Sequence, residues 1–154
     1  MNEKELKENL FGRENILGLL NRRVADLKDG YRQNIALLGN QFIGKSTILQ
    51  EFVRNLSDEK VLPIYLEIEN IDFHGFVNKY LGTLLFNYLR IKTKTEYENF
   101  EILIEEAKRF IPATVEQVKK IRHNLEKGKN LEVYRELMGL PQKIFEESGI
   151  FCLV

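Results

Sequence analysis

The chain is poor in cysteine and histidine, has no excess of either charge and has no long apolar run. Each shortage closes off a class of protein. Of 154 residues only Cys152 is a cysteine, which excludes an intramolecular disulfide framework and any cysteine-rich zinc module. The two histidines, His74 and His123, stand far apart without a ligand spacing, which argues against a histidine-based metal site. Lys+Arg and Asp+Glu both number 23, so the formal net charge is zero. That balance argues against a disordered acidic tail, a histone-like basic arm or a polybasic membrane anchor, and leaves room only for a local basic patch. The best apolar stretch, Tyr80–Leu89, contains Gly82, Thr83 and Asn87 and falls well short of the roughly 20 residues that span a bilayer. The opening residues, MNEKELKENL, are too polar for a signal peptide. The expectation is a soluble, cytoplasmic protein with no membrane partner, and the charge balance gives no support for nucleic acid.

What is present suffices for a core. Apolar residues make up 44% of the chain, and the length suits one ordinary domain. Leu17, Leu20, Val24 and Leu27 recur at helical spacing and stop at Asp29-Gly30. Ile35–Leu38 is a short continuous apolar run, which predicts a strand buried on both faces of a parallel sheet. A second helix is predicted from Lys45, with Ile48, Leu49, Phe52, Val53 and Leu56 on one face. Val61–Ile68 reads as a second strand, with Pro63 favouring an edge or strand-entry position. Residues from Asp72 onward look helical. Asp72 can cap a helix over Phe73–Arg90, and Tyr97, Phe100, Leu103, Ile104, Ala107 and Phe110 form one stripe. Thr114 with Gln117 resembles a capping box for a helix carrying Val115, Val118, Ile121 and Leu125, which Lys127 and Gly128 end. Leu131, Tyr134, Leu137 and Met138 predict another helix, broken by Gly139 and Pro141. After Gly149, Ile150–Val154 reads as a third strand.

One motif is strong. Gly39-Asn40-Gln41-Phe42-Ile43-Gly44-Lys45-Ser46 fits G-x-x-x-x-G-K-[ST], after an apolar strand pattern and before a helical one. Wrapping a phosphate demands successive N–H groups turned inward, hence positive φ values and close backbone approach, which glycine tolerates. The helix start brings its positive dipole end to the anion. In this arrangement Lys45 reaches the β- and γ-phosphates, the Ser46 hydroxyl ligates Mg²⁺, and Thr47 can bond the α-phosphate. The alternative is a chance match in a glycine turn, which the strand-then-helix context makes the weaker reading.

With that loop in place, Phe11-Gly12-Arg13-Glu14 gains meaning. Some 25 residues upstream of a phosphate loop, it resembles the F-G-R-E box of the archaeal-type ATPases, which belong with the STAND and origin-recognition-type AAA+ ATPases. The loop with its helix (Gly39 to Leu56), the strand Pro63–Ile68 and the helical segment Phe73–Leu89 are also similar to that family. The likeness is specific at the loop and weak over Lys92–Ser148. It implies an α/β fold of the P-loop NTPase (AAA+/ASCE) type, a three-layer α/β/α sandwich. Here the parallel sheet would be incomplete, with a long helical segment between its second and third strands. It places Phe11, Gly12 and Arg13 on the adenine side, and it implies ATP and Mg²⁺ as ligands. Family loops often carry basic residues where Gln41 and Phe42 stand, so extra phosphate contacts are not implied. In the family, a helix and glycine like Phe145–Gly149 lead into a strand closing with Asp-Glu. Residues 1–154 are therefore expected to be a single P-loop domain cut at the strand that would carry those carboxylates, and hydrolysis is expected only in a longer parent protein. No catalytic residue is assigned to this chain.

Other residues read as structure. Glu67 and Glu69 suit solvated strand-end carboxylates, and Lys119-Lys120-Ile121-Arg122 suits an ordinary helix face next to Glu116 and Glu126. Tyr80, Phe86, Tyr88, Phe100 and Phe110 suit a core, and Cys152 a buried strand position. Two further functions stay open. One is a nucleotide-regulated interaction module that docks a protein partner through the helices of residues 72–148. The other is a P-loop kinase for a small molecule, disfavoured by the helix and box that precede the loop.

Overall fold

The computed structural model describes residues 13–68, 70–93 and 99–154. Contacts divide the chain into two compact units, Met1–Ser57 and Asp58–Val154.

In the first unit, α1 (Glu14–Lys28) and α2 (Lys45–Asn55) are amphipathic helices that touch each other. Their buried apolar residues are Leu20 and Val24 on α1 and Ile48 and Phe52 on α2. These are the positions the helical spacing picks out. Glu51 is buried too. Its carboxylate accepts from Asn55 Nδ2 at 2.6 Å and Arg54 Nη1 at 3.4 Å, so the charge is not stranded. Asp29 and Gly30, the latter at φ +89°, end α1 as expected.

The second unit is built around α3 (Phe73–Thr93). Val77, Tyr80, Leu81, Leu84, Leu85, Tyr88 and Leu89 are buried, and Phe73, Phe76, Phe86 and Ile91 pack half-buried on the same cluster. A helix apolar on this many sides belongs in the middle of a core. The Asp72 carboxylate accepts from Gly75 N–H at 2.7 Å, the expected cap. Around α3 lie α4 (Phe100–Ala107), α5 (Pro112–Glu126) and α6 (Asn130–Ser148). They contribute Leu103, Ile104, Val115, Val118, Ile121, Val133, Leu137, Leu140 and Ile144 to one cluster. Two short parallel strands complete the unit: β1 (Val61–Pro63) and β2 (Phe151–Leu153), with Val61 opposite Phe151 and Pro63 opposite Leu153.

The expected three-layer α/β/α sandwich of the P-loop NTPase type is overturned. The described residues form six helices and one two-stranded sheet. The decisive segment is Ile35–Leu38. It is not a strand and is not buried: Leu38 is 93% exposed and Ile35 is exposed as well. A continuous apolar run suits a central strand only when strands lie on both sides of it, and no strand pairs with this one among the described residues. The second expected strand also shrinks, from Val61–Ile68 to three residues plus one further bond, Ile64 N–H to Leu153 C=O at 2.8 Å. Phe151 N–H bonds Lys60 C=O at 2.8 Å, so alternate residues of β1 face β2, and Pro63 falls on the opposite edge. Proline has no N–H to offer a strand on that edge, which matches the edge position expected of it.

Two local expectations are also corrected. The Thr114–Gln117 capping box does not form. α5 starts at Pro112, and its cap comes from 33 or more residues away. Glu147 accepts from Ala113 N–H at 2.8 Å, Thr114 N–H at 2.7 Å and the Thr114 hydroxyl at 2.5 Å. A carboxylate at a helix N-terminus satisfies orphan donors and opposes the dipole. Gly139 and Pro141 do not break α6, which runs through both. Val133, Leu137, Leu140 and Ile144 keep one buried face across the proline, and that burial outweighs the roughly 3 kcal/mol an internal proline costs. Among the described residues no helix is long and apolar enough to cross a membrane.

Candidate functional site

The predicted phosphate loop lies wholly in the first unit, between the exposed stretch ending at Leu38 and the start of α2. Gly44 is the residue before the helix and adopts φ +88°, ψ +22°, a left-handed conformation that costs glycine nothing extra. A Cβ there would lie 2.6 Å from Arg13 Nη1, so a side chain at this position would displace the guanidinium. Gly39 is crowded as well, since a Cβ would meet Ile43 Cγ2 at 3.2 Å. Of the two motif glycines, Gly44 is the one whose backbone conformation demands glycine. Phe42 also takes a positive φ, +63°, which for a bulky residue costs roughly 1–2 kcal/mol. Its ring is 94% exposed, so packing does not repay that cost.

Lys45 is the first residue of α2. Its ammonium donates to Gly39 C=O at 2.8 Å and Asn40 C=O at 2.7 Å, closing the loop into a ring. With glycine at the cap there is no side-chain cap hydrogen bond at the N-terminus of α2, and the first turn holds no acidic residue. The N–H groups of Lys45, Ser46 and Thr47 precede the first intrahelical bond, Ile48 N–H to Gly44 C=O at 3.0 Å. Ser46 and Thr47 are exposed, as are Asn40 and Gln41. The result is a positive helix end, a lysine and open N–H groups, which together favour an anion.

Arg13 joins them. Its guanidinium donates to Ile43 C=O at 2.9 Å and, more weakly, to Gly44 C=O at 3.5 Å. Sequence reasoning assigned Arg13 to the adenine side and missed this link, which spans some 30 residues. The spacing of box and loop was the only signal available for it. Phe11 and Gly12, assigned with it, lie outside the described residues, as do Glu69 and Tyr97. Glu67 is exposed, and its carbonyl accepts from Lys79 Nζ at 2.6 Å.

Ser46 was expected to bind Mg²⁺. Among the described residues no group of three or more His, Cys, Asp or Glu is placed to hold a metal. One hydroxyl is a single ligand, so Mg²⁺ fits here only in company with phosphate oxygens and water.

The second unit holds the other candidates. Each cation of the Lys119–Arg122 cluster has an acidic partner: Lys119 meets Glu116 at 3.2 Å, Lys120 meets Glu136 at 2.6 Å, and Arg122 meets Glu101 at 3.0 Å. The positive charge of this face is largely neutralised. His74 shares a 3.0 Å hydrogen bond with Asn78. Tyr80 and Tyr88 are core residues, whereas Phe110 is exposed. Burial pushes the Tyr80 phenol up to about 12, and burial pushes the Cys152 thiol up to about 12. Both therefore stay protonated and unreactive near neutral pH. On α6, Leu131, Tyr134 and Met138 form an exposed apolar stripe away from its buried face.

No protein-family model, no curated protein and no solved structure matches this chain.

Proposed function

We propose that residues Gly39–Thr47 bind the phosphate chain of a Mg-nucleotide, with ATP as the ligand. The observation that supports this reading best is the conformation of the loop itself. A left-handed glycine opens α2, and the motif lysine folds back on the two carbonyls at the loop's other end. In this reading the N–H groups at the start of α2 take the phosphate oxygens, Lys45 turns from the carbonyls to the phosphates, and Ser46 supplies one ligand to Mg²⁺. The F-G-R-E box and the loop are what support kinship with the archaeal-type ATPases. The lone cysteine, which forms no disulfide within the chain, is in keeping with a cytoplasmic setting.

Binding is the activity assigned to these residues, and no catalytic step is assigned to them: among the described residues no carboxylate stands in the first turn of α2. Titration of the full chain with Mg-ATP tests the reading. Lys45→Ala is expected to weaken binding at least tenfold, a charge-assisted contact being worth about 1.5–3 kcal/mol. Equal affinity in the two chains would reject a phosphate site at this loop.

A further inference from the structure

The loop is gripped at both ends by cations that hold carbonyl oxygens. Lys45 takes Gly39 and Asn40, and Arg13 takes Ile43 and Gly44. Two cations on two successive carbonyls each is an unusual use of charge, because carbonyls in an exposed loop can bond water equally well. The consequence follows from the planar trans peptide, in which the C=O of one residue and the N–H of the next point opposite ways. Holding Gly39 and Asn40 C=O turns the N–H groups of Asn40 and Gln41 away from Lys45. Holding Ile43 and Gly44 C=O turns those of Gly44 and Lys45 away from Arg13.

The two grips differ in what phosphate does to them. Lys45 belongs to the motif, and an anion attracts its ammonium more strongly than neutral carbonyls do. Arg13 enters from α1's leading edge and touches the loop from the carbonyl side, opposite the N–H groups it turns. Its planar fork matches a pair of neighbouring acceptors better than a lysine can. The guanidinium lies close against Gly44, within 2.6 Å of where a Cβ would stand.

We propose that Arg13 is a positioning residue for the phosphate loop. It holds the Gly44 and Lys45 N–H groups in their anion-facing orientation while Lys45 leaves its own carbonyls for the phosphates. This rests on the nucleotide reading above, and it assigns Arg13 to the loop backbone rather than to the base or to the terminal phosphate.

The full chain, Arg13→Gln and Arg13→Lys are titrated with Mg-ATP, Mg-ADP and inorganic triphosphate. Arg13→Gln is expected to weaken all three by the same factor, about tenfold for loss of one charge-assisted contact. Arg13→Lys is expected to recover part of the loss. A loss confined to the triphosphates would put Arg13 on the terminal phosphate, and a loss confined to the adenine nucleotides would put it on the base. Either result, or unchanged binding, overturns the proposal. Amide NMR of the ligand-free chains separates this from the parent reading. Arg13→Gln is expected to move the Gly44 and Lys45 signals and to leave Asn40 and Gln41 in place, with α1 and α2 signals confirming the fold. That readout holds even if no nucleotide binds, and a stationary Gly44 signal would by itself reject the clamp.

Discussion

The two units of this chain are held together by different means. Residues Asp58–Val154 bury a large apolar cluster contributed by four helices, a strand and the turn before the last strand. The described residues of the first unit, 13–57, bury few side chains and leave Leu38, Phe42 and Ile43 in water beside the glycines of the loop. Beside the small apolar contact of α1 with α2, polar contacts to backbone carbonyls fix the loop, Lys45 locally and Arg13 across 30 residues. Burial gives a fold its stability, whereas an anion site needs backbone N–H groups left open. In the phosphate-site reading proposed above, the chain separates the two requirements along its sequence.

The contrast can be broken by substitution. Leu137, fully buried on α6, is expected to cost about 2–5 kcal/mol as Leu137→Ala. Leu38→Ala, in the run that reads as a buried strand, is expected to cost less than about 0.5 kcal/mol. Urea unfolding followed by circular dichroism measures both. A Leu38→Ala loss as large as that of Leu137→Ala would restore the buried strand and erase the difference between the units.

A smaller effect tests how the second unit is joined. Glu147→Ala removes the acceptor of Ala113 and Thr114 and is expected to lower stability by about 1 kcal/mol, as loss of a helix cap does. Thermal unfolding checks it, and Glu147→Gln, which keeps an acceptor, should lose less. No change in either variant would mean that the three bonds to Glu147 are matched by water in the unfolded chain.

Smallest near neutrality is the pH effect of burial. The Cys152 thiol rises from 9.0 to about 12 and the Tyr80 phenol from 10.0 to about 12, in both cases chiefly by burial. A raised folded-state value means that the unfolded chain loses these protons first. The contribution to stability is therefore whole below pH 9 and declines as pH climbs from 9 toward 12. Urea midpoints between pH 8 and 11 should fall, and Cys152→Ala should soften the early part of the fall. A thiolate absorbance that titrates in the native chain at its ordinary midpoint would contradict this.

The helices were legible from sequence because their signal is local. The 3.6-residue period at Leu17–Leu27 or Val115–Leu125 already says which face is buried, and Gly30, Gly128 and Gly149 mark the ends by their positive φ. Features that depend on distant partners were not legible. Ile35–Leu38 is apolar enough for a strand, but composition cannot supply the neighbours a strand needs. The Glu147 cap and the Arg13 contact each cross about 30 residues, beyond the reach of any periodicity. At the loop, spacing alone identified the two glycines and the lysine. Nothing in the sequence marked Phe42 for a left-handed backbone, since aromatic residues seldom adopt it.

The pairing of β1 with β2 also bears on the order in which the second unit assembles. Val61 waits for Phe151, and every helix of the unit lies between them. The helices can form from neighbours in sequence within microseconds, but the strands meet only after that whole stretch has been made and gathered in. During synthesis β1 leaves the ribosome with its partner still unmade, and Leu62 and Ile64, which in the finished unit share one apolar cluster with α3, are made before every helix of that cluster.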